Sequence, residues 1–279
     1  MIPGNRSRNV VTERSVIHAS PFPATVESIA DDLARLGVER GATVLVHSSL
    51  SALGWVCGGP VAVVLALEAA VGAGGTVVMP THSNGWSEPS AWGNPPVPEE
   101  WWDTIRATMP AYDPALTPTS LGCIPECFRT QPGVARSGHP HYSFAAWGRH
   151  ADLLTKNHPL DFGLGEDSPL AGLYDLDALV LLLGVDHSSN TSLHLAEYRA
   201  DYRGKRVVAN AAPMLVEGAR EWVEIKELDL ISDDFPAAGA AFEAAGAMVR
   251  RGTVGIAPTR LMSQCGLVDF GVPWLEENR

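Results

Sequence analysis

His187, Thr191, His194 and Glu197 are separated by four, three and three residues. On a helix those intervals stack the groups along one stripe. Just upstream, Leu181-Leu182-Leu183-Gly184 reads as a buried strand that empties into the polar start Asp186-His187-Ser188-Ser189-Asn190. A histidine beside a carboxylate, at the carboxyl end of a strand, is where an open α/β sheet places acid–base chemistry. The helix start would leave backbone N–H groups near Asn190, Thr191 and Ser192 unpaired, and such donors, with the helix dipole, suit a developing oxyanion. His194, one turn further in, suits removal of a proton from an attacking nucleophile, as a neutral imidazole near pH 7. Glu197 would orient that ring or grip a substrate ammonium. The same residues also fit a plainer arrangement, in which Ser188 or Asn190 only caps the helix and His194 and Glu197 form a solvated pair.

Two further clusters carry polar chemistry. His47-Ser48-Ser49-Leu50-Ser51 follows a short apolar strand, a natural place for hydroxyl and backbone donors to meet phosphate. It matches neither a dinucleotide fingerprint nor a lysine-bearing phosphate loop, and no Gly-x-Ser-x-Gly elbow surrounds Ser48 or Ser49 as a hydrolase nucleophile. Arg136-Ser137-Gly138-His139-Pro140 offers one arginine to an anion beside a rigid turn, or is an ordinary turn with a surface arginine. The helical spacing lacks the two-histidine zinc pattern and places no third ligand, so no metal is expected.

The elements that must position these groups alternate regularly. Thr25 caps a helix whose apolar stripe is Val26, Ile29, Ala30, Leu33 and Leu36, with Gly37 as its stop. Thr43 to Val46 is a buried strand, Pro60 to Val71 a helix, and Thr76 to Met79 the next buried strand, which together imply a parallel unit. From Thr81 to Thr119 the pattern dissolves into a Trp- and Pro-rich flap containing Trp86, Trp92, Trp101 and Trp102, either a lid or a packed surface segment. A helix is expected over Ser120 to Arg129, a strand over Ser143 to Trp147, a helix over Gly148 to Lys156 and a strand over Ala178 to Leu183. Arg206 to Ala211 and Glu221 to Glu227 read as a hairpin, and Pro236 to Arg250 as an Ala-rich helix. The fold class is thus α/β, with a mixed, largely parallel central sheet flanked by helices.

Composition bounds the function. The chain has 279 residues, long enough to bury a sizeable core. A net charge of -12 argues against nucleic acid and anionic membranes as partners and favours a cationic ligand. Cys57, Cys123, Cys127 and Cys265 match neither a zinc signature nor a disulfide framework. Met1 to Ser20 lacks a signal-peptide pattern, and the apolar stretch Pro60 to Val71 is too short to span a bilayer, so a cytoplasmic location is expected.

These pieces together resemble the antibiotic N-acetyltransferase family, the aminoglycoside 3-N-acetyltransferases and their close relatives. The likeness runs from about Thr25 to Leu267. Its residues are Val46-His47-Ser48-Ser49-Leu50, Met79-Pro80-Thr81, Asp113-Pro114 with Thr117-Pro118-Thr119, and Arg136-Ser137-Gly138-His139-Pro140. Further matches are Ser143-Phe144-Ala145-Ala146, Gly165-Glu166-Asp167-Ser168-Pro169-Leu170, Asn190 through Glu197, and Asp233-Asp234-Phe235 with Gly239 and Phe242. The resemblance implies a single acyltransferase domain over residues 25–279, with a flap at about 81–119 and an N-terminal extension over residues 1–24. It implies direct transfer of acetyl from acetyl-coenzyme A to an amine of a cationic amino sugar in one ternary complex. His194 is then the general base, with Glu197 and Thr191 completing the catalytic set. Ser48, Ser49, Leu50 and Ser51, together with Arg136 and Ser137, are expected at the coenzyme. Glu197, Asp113, Asp234 and Trp102 are expected at the cationic substrate. A homodimer is compatible with this reading. The segment from His82 to Tyr112 exceeds the connections associated with resistance enzymes, so another amine acceptor is the second reading. A ligand-binding protein without turnover is the third, and a serine hydrolase the fourth.

Overall fold

The computed structural model describes residues 13–279. Helices α1 (Glu13–Ala19) and α2 (Val26–Leu36) lead into strand β1 (Thr43–Ser48). Helix α3 (Gly59–Val71) crosses to β2 (Thr76–Pro80), and the long segment beyond it contains α4 (Trp102–Thr108) before α5 (Cys123–Arg129). Strands β3 (Ala135–Arg136) and β4 (Phe144–Gly148), helices α6 (Ala151–Thr155) and α7 (Pro169–Asp175), and strand β5 (Leu179–Leu183) follow. Helix α8 (Ser192–Arg199), the hairpin β6 (Val207–Val216) and β7 (Ala219–Leu228), and α9 (Phe235–Ala244) come next. Strands β8 (Arg250–Val254) and β9 (Ala257–Ser263) and helix α10 (Gln264–Asn278) complete the described chain.

The described strands form a seven-stranded mixed sheet in the order β3-β4-β2-β1-β5-β9-β8, and the hairpin stands apart as a second sheet. Its centre is parallel, with β1 paired to β2 and to β5, and both edges are antiparallel. Alternation along each strand builds a core on both faces. Val44, Val46, Val77, Met79, Leu181 and Leu183 pack toward α2, α3 and α5. Leu45 and Val78 pack toward α6, α7, α8 and α10, and Val180 and Leu182 toward α9 and α10. Each fully buried Leu or Val contributes roughly 1.5–3 kcal/mol, so the register of the three central strands is firmly held. Among the described residues no helix is long and apolar enough to cross a membrane.

Local chemistry sets the boundaries where it was read. The Ser28 N–H donates to Thr25 Oγ1 at 3.2 Å and the Thr25 N–H to Ser28 Oγ at 2.9 Å, and Gly37, at φ 106°, ends α2. The hairpin is longer than its sequence pattern suggests, because Glu217 and Gly218, at φ 49° and 85°, make a tight turn that lets β6 and β7 pair over their whole length. The helix expected over Pro236 to Arg250 stops at Ala244, and Arg250 begins β8 instead. That strand reads Arg-Arg-Gly-Thr-Val with four exposed residues, so it shows no apolar alternation. The 81–119 segment is not structureless. It holds α4 and lies against the hairpin, where Arg220 donates to the carbonyls of Met109 and Arg106 at 2.6 and 2.5 Å and the Tyr112 N–H donates to Pro213 O at 2.7 Å.

Candidate active site

Three parallel strands end side by side, and the carboxyl ends of such strands are where open α/β sheets hold ligands. From β1 come His47 and Ser48, from the end of β2 Pro80 and then His82, and from the loop after β5 Ser188, Ser189, Asn190 and Thr191. His194 on α8 and Ser232 and Phe235 at the start of α9 close a cavity of about 300 Å³ lined by these groups. A groove of about 600 Å³ adjoins it, lined by Ser48, Ser49, Leu50, Ser51, Gly54 and Trp55 on one side and by Leu121 through Pro125 on another. Helix α1 contributes Glu13 and Val16 to that groove. Ser48, Leu121 and Pro125 line both spaces, so the groove borders the cavity that holds His194.

His194 has one fixed nitrogen and one open one. Its Nδ1 meets Glu197 Oε2, and no described residue engages Nε2. The ring packs on Phe235, with centroids 4.8 Å apart. Its side chain is 17% exposed and that of Glu197 is 0% exposed, so the pair is not the solvated one a bare helix face would show. Glu197 Oε1 accepts from the Ile231 N–H at 3.0 Å and from Arg279 Nη1 at 2.5 Å. Both carboxylate oxygens are therefore occupied inside the protein, one by His194 and the other by Ile231 and Arg279.

The loop before α8 is built differently from a continuous helical stripe. Residues His187–Ser189 form a 3-10 turn, and α8 begins only at Ser192. This rotates His187 off the His194 face: its Nε2 lies 3.0 Å from Glu243 Oε1, and its Nδ1 accepts from Asn190 Nδ2 at 3.3 Å. Of the three backbone donors expected, Asn190 N–H donates to His187 O and Ser192 N–H to Asn190 Oδ1. The Thr191 N–H makes no hydrogen bond to a described residue, and neither does its hydroxyl, while Thr191 lines the cavity.

Several other residues singled out from the sequence are engaged within the protein. Arg136 donates from Nε to Thr81 Oγ1 and Ser143 Oγ, from Nη1 to the carbonyls of Pro114 and Thr117, and from Nη2 to Thr81 O and Ser83 Oγ. It staples the flap to the sheet and has no donor left for a coenzyme phosphate. Ser137 is fully buried, with its hydroxyl on His158 Nδ1 at 2.9 Å and accepting from the Phe144 N–H. Asp113 closes a turn by accepting from the N–H groups of Ala115 and Leu116. Asp234 Oδ1 and Oδ2 each receive a nitrogen of Arg279 at 2.7 Å. Trp102 stacks under the Arg106 guanidinium at 5.8 Å, and no described contact ties it to His194.

Sequence reasoning assigned no role to His47, His82 or Arg279. The two histidines lie at or just beyond the carboxyl ends of β1 and β2, and that placement was the available signal. Their Nε2 atoms are buried without a partner. Burial first, and then the neighbouring His194, pushes both imidazoles down to about 3. Two neutral imidazoles therefore share the cavity lining with His194, each with a buried nitrogen that has no partner.

A buried carboxylate bonded to an accessible histidine, a free backbone donor beside it and an adjoining groove suit proton transfer and oxyanion stabilisation, the chemistry that acyl transfer requires. Comparison with known proteins agrees: the sequence pattern described as aminoglycoside 3-N-acetyltransferase matches residues 45–276, and the chain belongs to that family of acyltransferases. It is 51% identical over 267 residues to the SPbeta prophage-derived aminoglycoside N(3')-acetyltransferase-like protein YokD of Bacillus subtilis (strain 168), covering 95% of this chain and 97% of that protein. The crystal structure of YokD superposes with a TM-score of 0.92 at 50% identity, over 95% of this chain and 98% of that one. Aminoglycoside N(3)-acetyltransferase VII of Streptomyces paromomycinus is 40% identical over 95% of this chain and 96% of its own length. The structure of AAC-IIIb in a binary complex with CoASH superposes with a TM-score of 0.82 at 36% identity, over 92% of this chain and 97% of that one.

Proposed function

We propose that this protein transfers an acetyl group from acetyl-coenzyme A to the 3-amine of an aminoglycoside, by direct attack within a ternary complex, with His194 as general base. The observation that carries the reading is the His194 ring, held through Nδ1 by a fully buried carboxylate, without a described partner at Nε2, and lining a cavity that borders the Ser48–Ser51 groove. The family, the CoASH complex of AAC-IIIb and the named activity of the Streptomyces relative support the choice of donor and acceptor.

The groove volume lies within the roughly 300–1,000 Å³ usual for small-molecule sites, and its serine hydroxyls and apolar wall suit a pantetheine arm. When bound, the donor supplies an acyl carbon at which the amine forms a C–N bond while the C–S bond breaks and the thiolate departs. His194 Nε2 takes the proton that the amine loses. Glu197 holds the Nδ1–H tautomer, the one that leaves Nε2 a free lone pair. The Thr191 N–H, which has no partner among the described residues, is free to donate to negative charge on the carbonyl oxygen. General-base help of this kind is worth about 10²–10⁴ in rate, and one oxyanion donor about 10²–10³.

The test is His194→Ala, assayed by thiol release with acetyl-coenzyme A and with aminoglycosides bearing or lacking a 3-amine. The expected outcome is a loss of at least a hundredfold in kcat on 3-amino substrates and no turnover of the others by the parent protein. A folded variant with near-full turnover would remove His194 from the reaction, and equal rates on both substrate groups would remove the 3-amine.

A further inference from the structure

Arg279 follows α10 and lies beyond residue 276, where the family pattern ends. Its side chain is 7% exposed and reaches the Glu197 oxygen that His194 does not use. Nη1 donates to Glu197 Oε1 at 2.5 Å, Nε and Nη2 fork onto Asp234 at 2.7 Å each, and Nη2 donates also to Ile231 O at 2.6 Å. The guanidinium lies 4.9 Å over the Tyr202 ring. Every donor nitrogen has a partner, and two of those partners flank Ser232 and Phe235 on the cavity wall.

We propose that Arg279 is a positioning residue that keeps His194 a free base, by pairing with Glu197 from its other oxygen and supplying the positive charge the imidazole would otherwise be drawn to carry. The proposal rests on the reading of His194 as the base. A carboxylate with no exposure and no counterion draws a proton onto the imidazole beside it, and a protonated imidazole accepts nothing. The groups packed around the pair leave this task to Arg279. His47 and His82 face His194 from the sheet and are held neutral by burial. Burial likewise raises the phenols of Tyr142, Tyr198 and Tyr202 near Glu197, so they stay uncharged. Two further anions lie nearby: Asp234, 28% exposed and therefore screened, and Glu227, which is buried but engaged by His141 and Asn210. Burial opposes the charge on Arg279, but its hydrogen bonds to Asp234 and Glu197 outweigh this and hold the guanidinium protonated beyond its ordinary range.

The experiment compares kcat/KM against pH for the parent, Arg279→Met, Arg279→Lys and Asp234→Asn, with ¹⁵N-histidine NMR of the resting proteins reading His194 protonation without turnover. Arg279 and a protonated His194 carry like charge, so removing the guanidinium favours the charged imidazole and moves its titration up, by roughly one pH unit or more for closely placed groups. Arg279→Met is expected to move the acid limb and the His194 resonance up by at least one pH unit, with activity recovering as pH rises. Arg279→Lys keeps the limb near its parent position, and Asp234→Asn moves it down or leaves it in place. An unmoved resonance in folded Arg279→Met, or an upward shift in Asp234→Asn, overturns the proposal. If Arg279→Met does not fold, the Asp234→Asn direction and the Lys variant decide. Because the resonance reports protonation alone, activity retained by His194→Ala would sink the base reading while the Arg279 effect is still judged.

Discussion

Replacing Glu197 by Gln keeps the shape of a fully buried side chain while removing its charge and turning one oxygen into a donor. The surroundings decide which one. Oε1 accepts from the Ile231 N–H and Arg279 Nη1, and Oε2 meets only His194 Nδ1. The amide nitrogen is therefore expected to face His194, since the reverse placement sets it against two donors. His194 must then accept at Nδ1 and carry its proton on Nε2, the nitrogen that should be the base. The corresponding tautomer error in the serine-protease triad costs about 10⁴ in kcat, and a loss of about 10³–10⁴ is expected here. The stability cost follows separately. Breaking a buried ion pair costs about 3–5 kcal/mol, and Asp234 still holds the guanidinium, which points to the lower end. A loss of about 3 kcal/mol lowers the melting temperature by roughly 6–12 °C. Thiol-release kinetics under saturating donor and acceptor, with calorimetry of the same sample, measure both. A folded Gln variant whose kcat stays within tenfold of the parent would refute the tautomer argument.

Thr191→Pro is expected to lower kcat about 10²–10³ with little change in fold, because Thr191 already sits at φ -58° and its N–H has no protein partner to lose; a kcat equal to that of Thr191→Ala would show that the backbone donor is idle. Gly239→Ala is expected to destabilise by about 1–3 kcal/mol despite better helix propensity, since the new Cβ would fall 2.0 Å from His187 Cγ; chemical denaturation checks the sign. Stability should fall as pH drops below about 6.5, because burial pushes His47 and His82 down to about 3 and His158 to about 4. The unfolded chain binds protons at these three sites where the folded one does not, so the loss accumulates from about pH 6.5 down to about 4 for His158 and about 3 for His47 and His82. A melting temperature that is flat across that window would contradict their burial as neutral rings.

The sequence by itself determined the elements whose apolar residues repeat locally: the α2 stripe with its Thr25 cap, the three central strands, and the strand-to-helix junction carrying His194. The i, i+3 spacing of His194 and Glu197 likewise survived folding, because that contact is made within one helix. Only the tertiary structure decided what each polar group does. Glu197 is sealed by Arg279, 82 residues later, so a group that could have faced substrate faces inward. Arg136 turns its guanidinium onto carbonyls of the flap, and His187 rotates away where a 3-10 turn interrupts the helix. Strand β8 lies at an exposed edge with no apolar period to mark it, and it is held there by pairing with β9, which docks on the distant β5. Propensity and periodicity act over a few residues and leave their mark in the local sequence, whereas the partner of a buried charge is set by which distant segments pack against it.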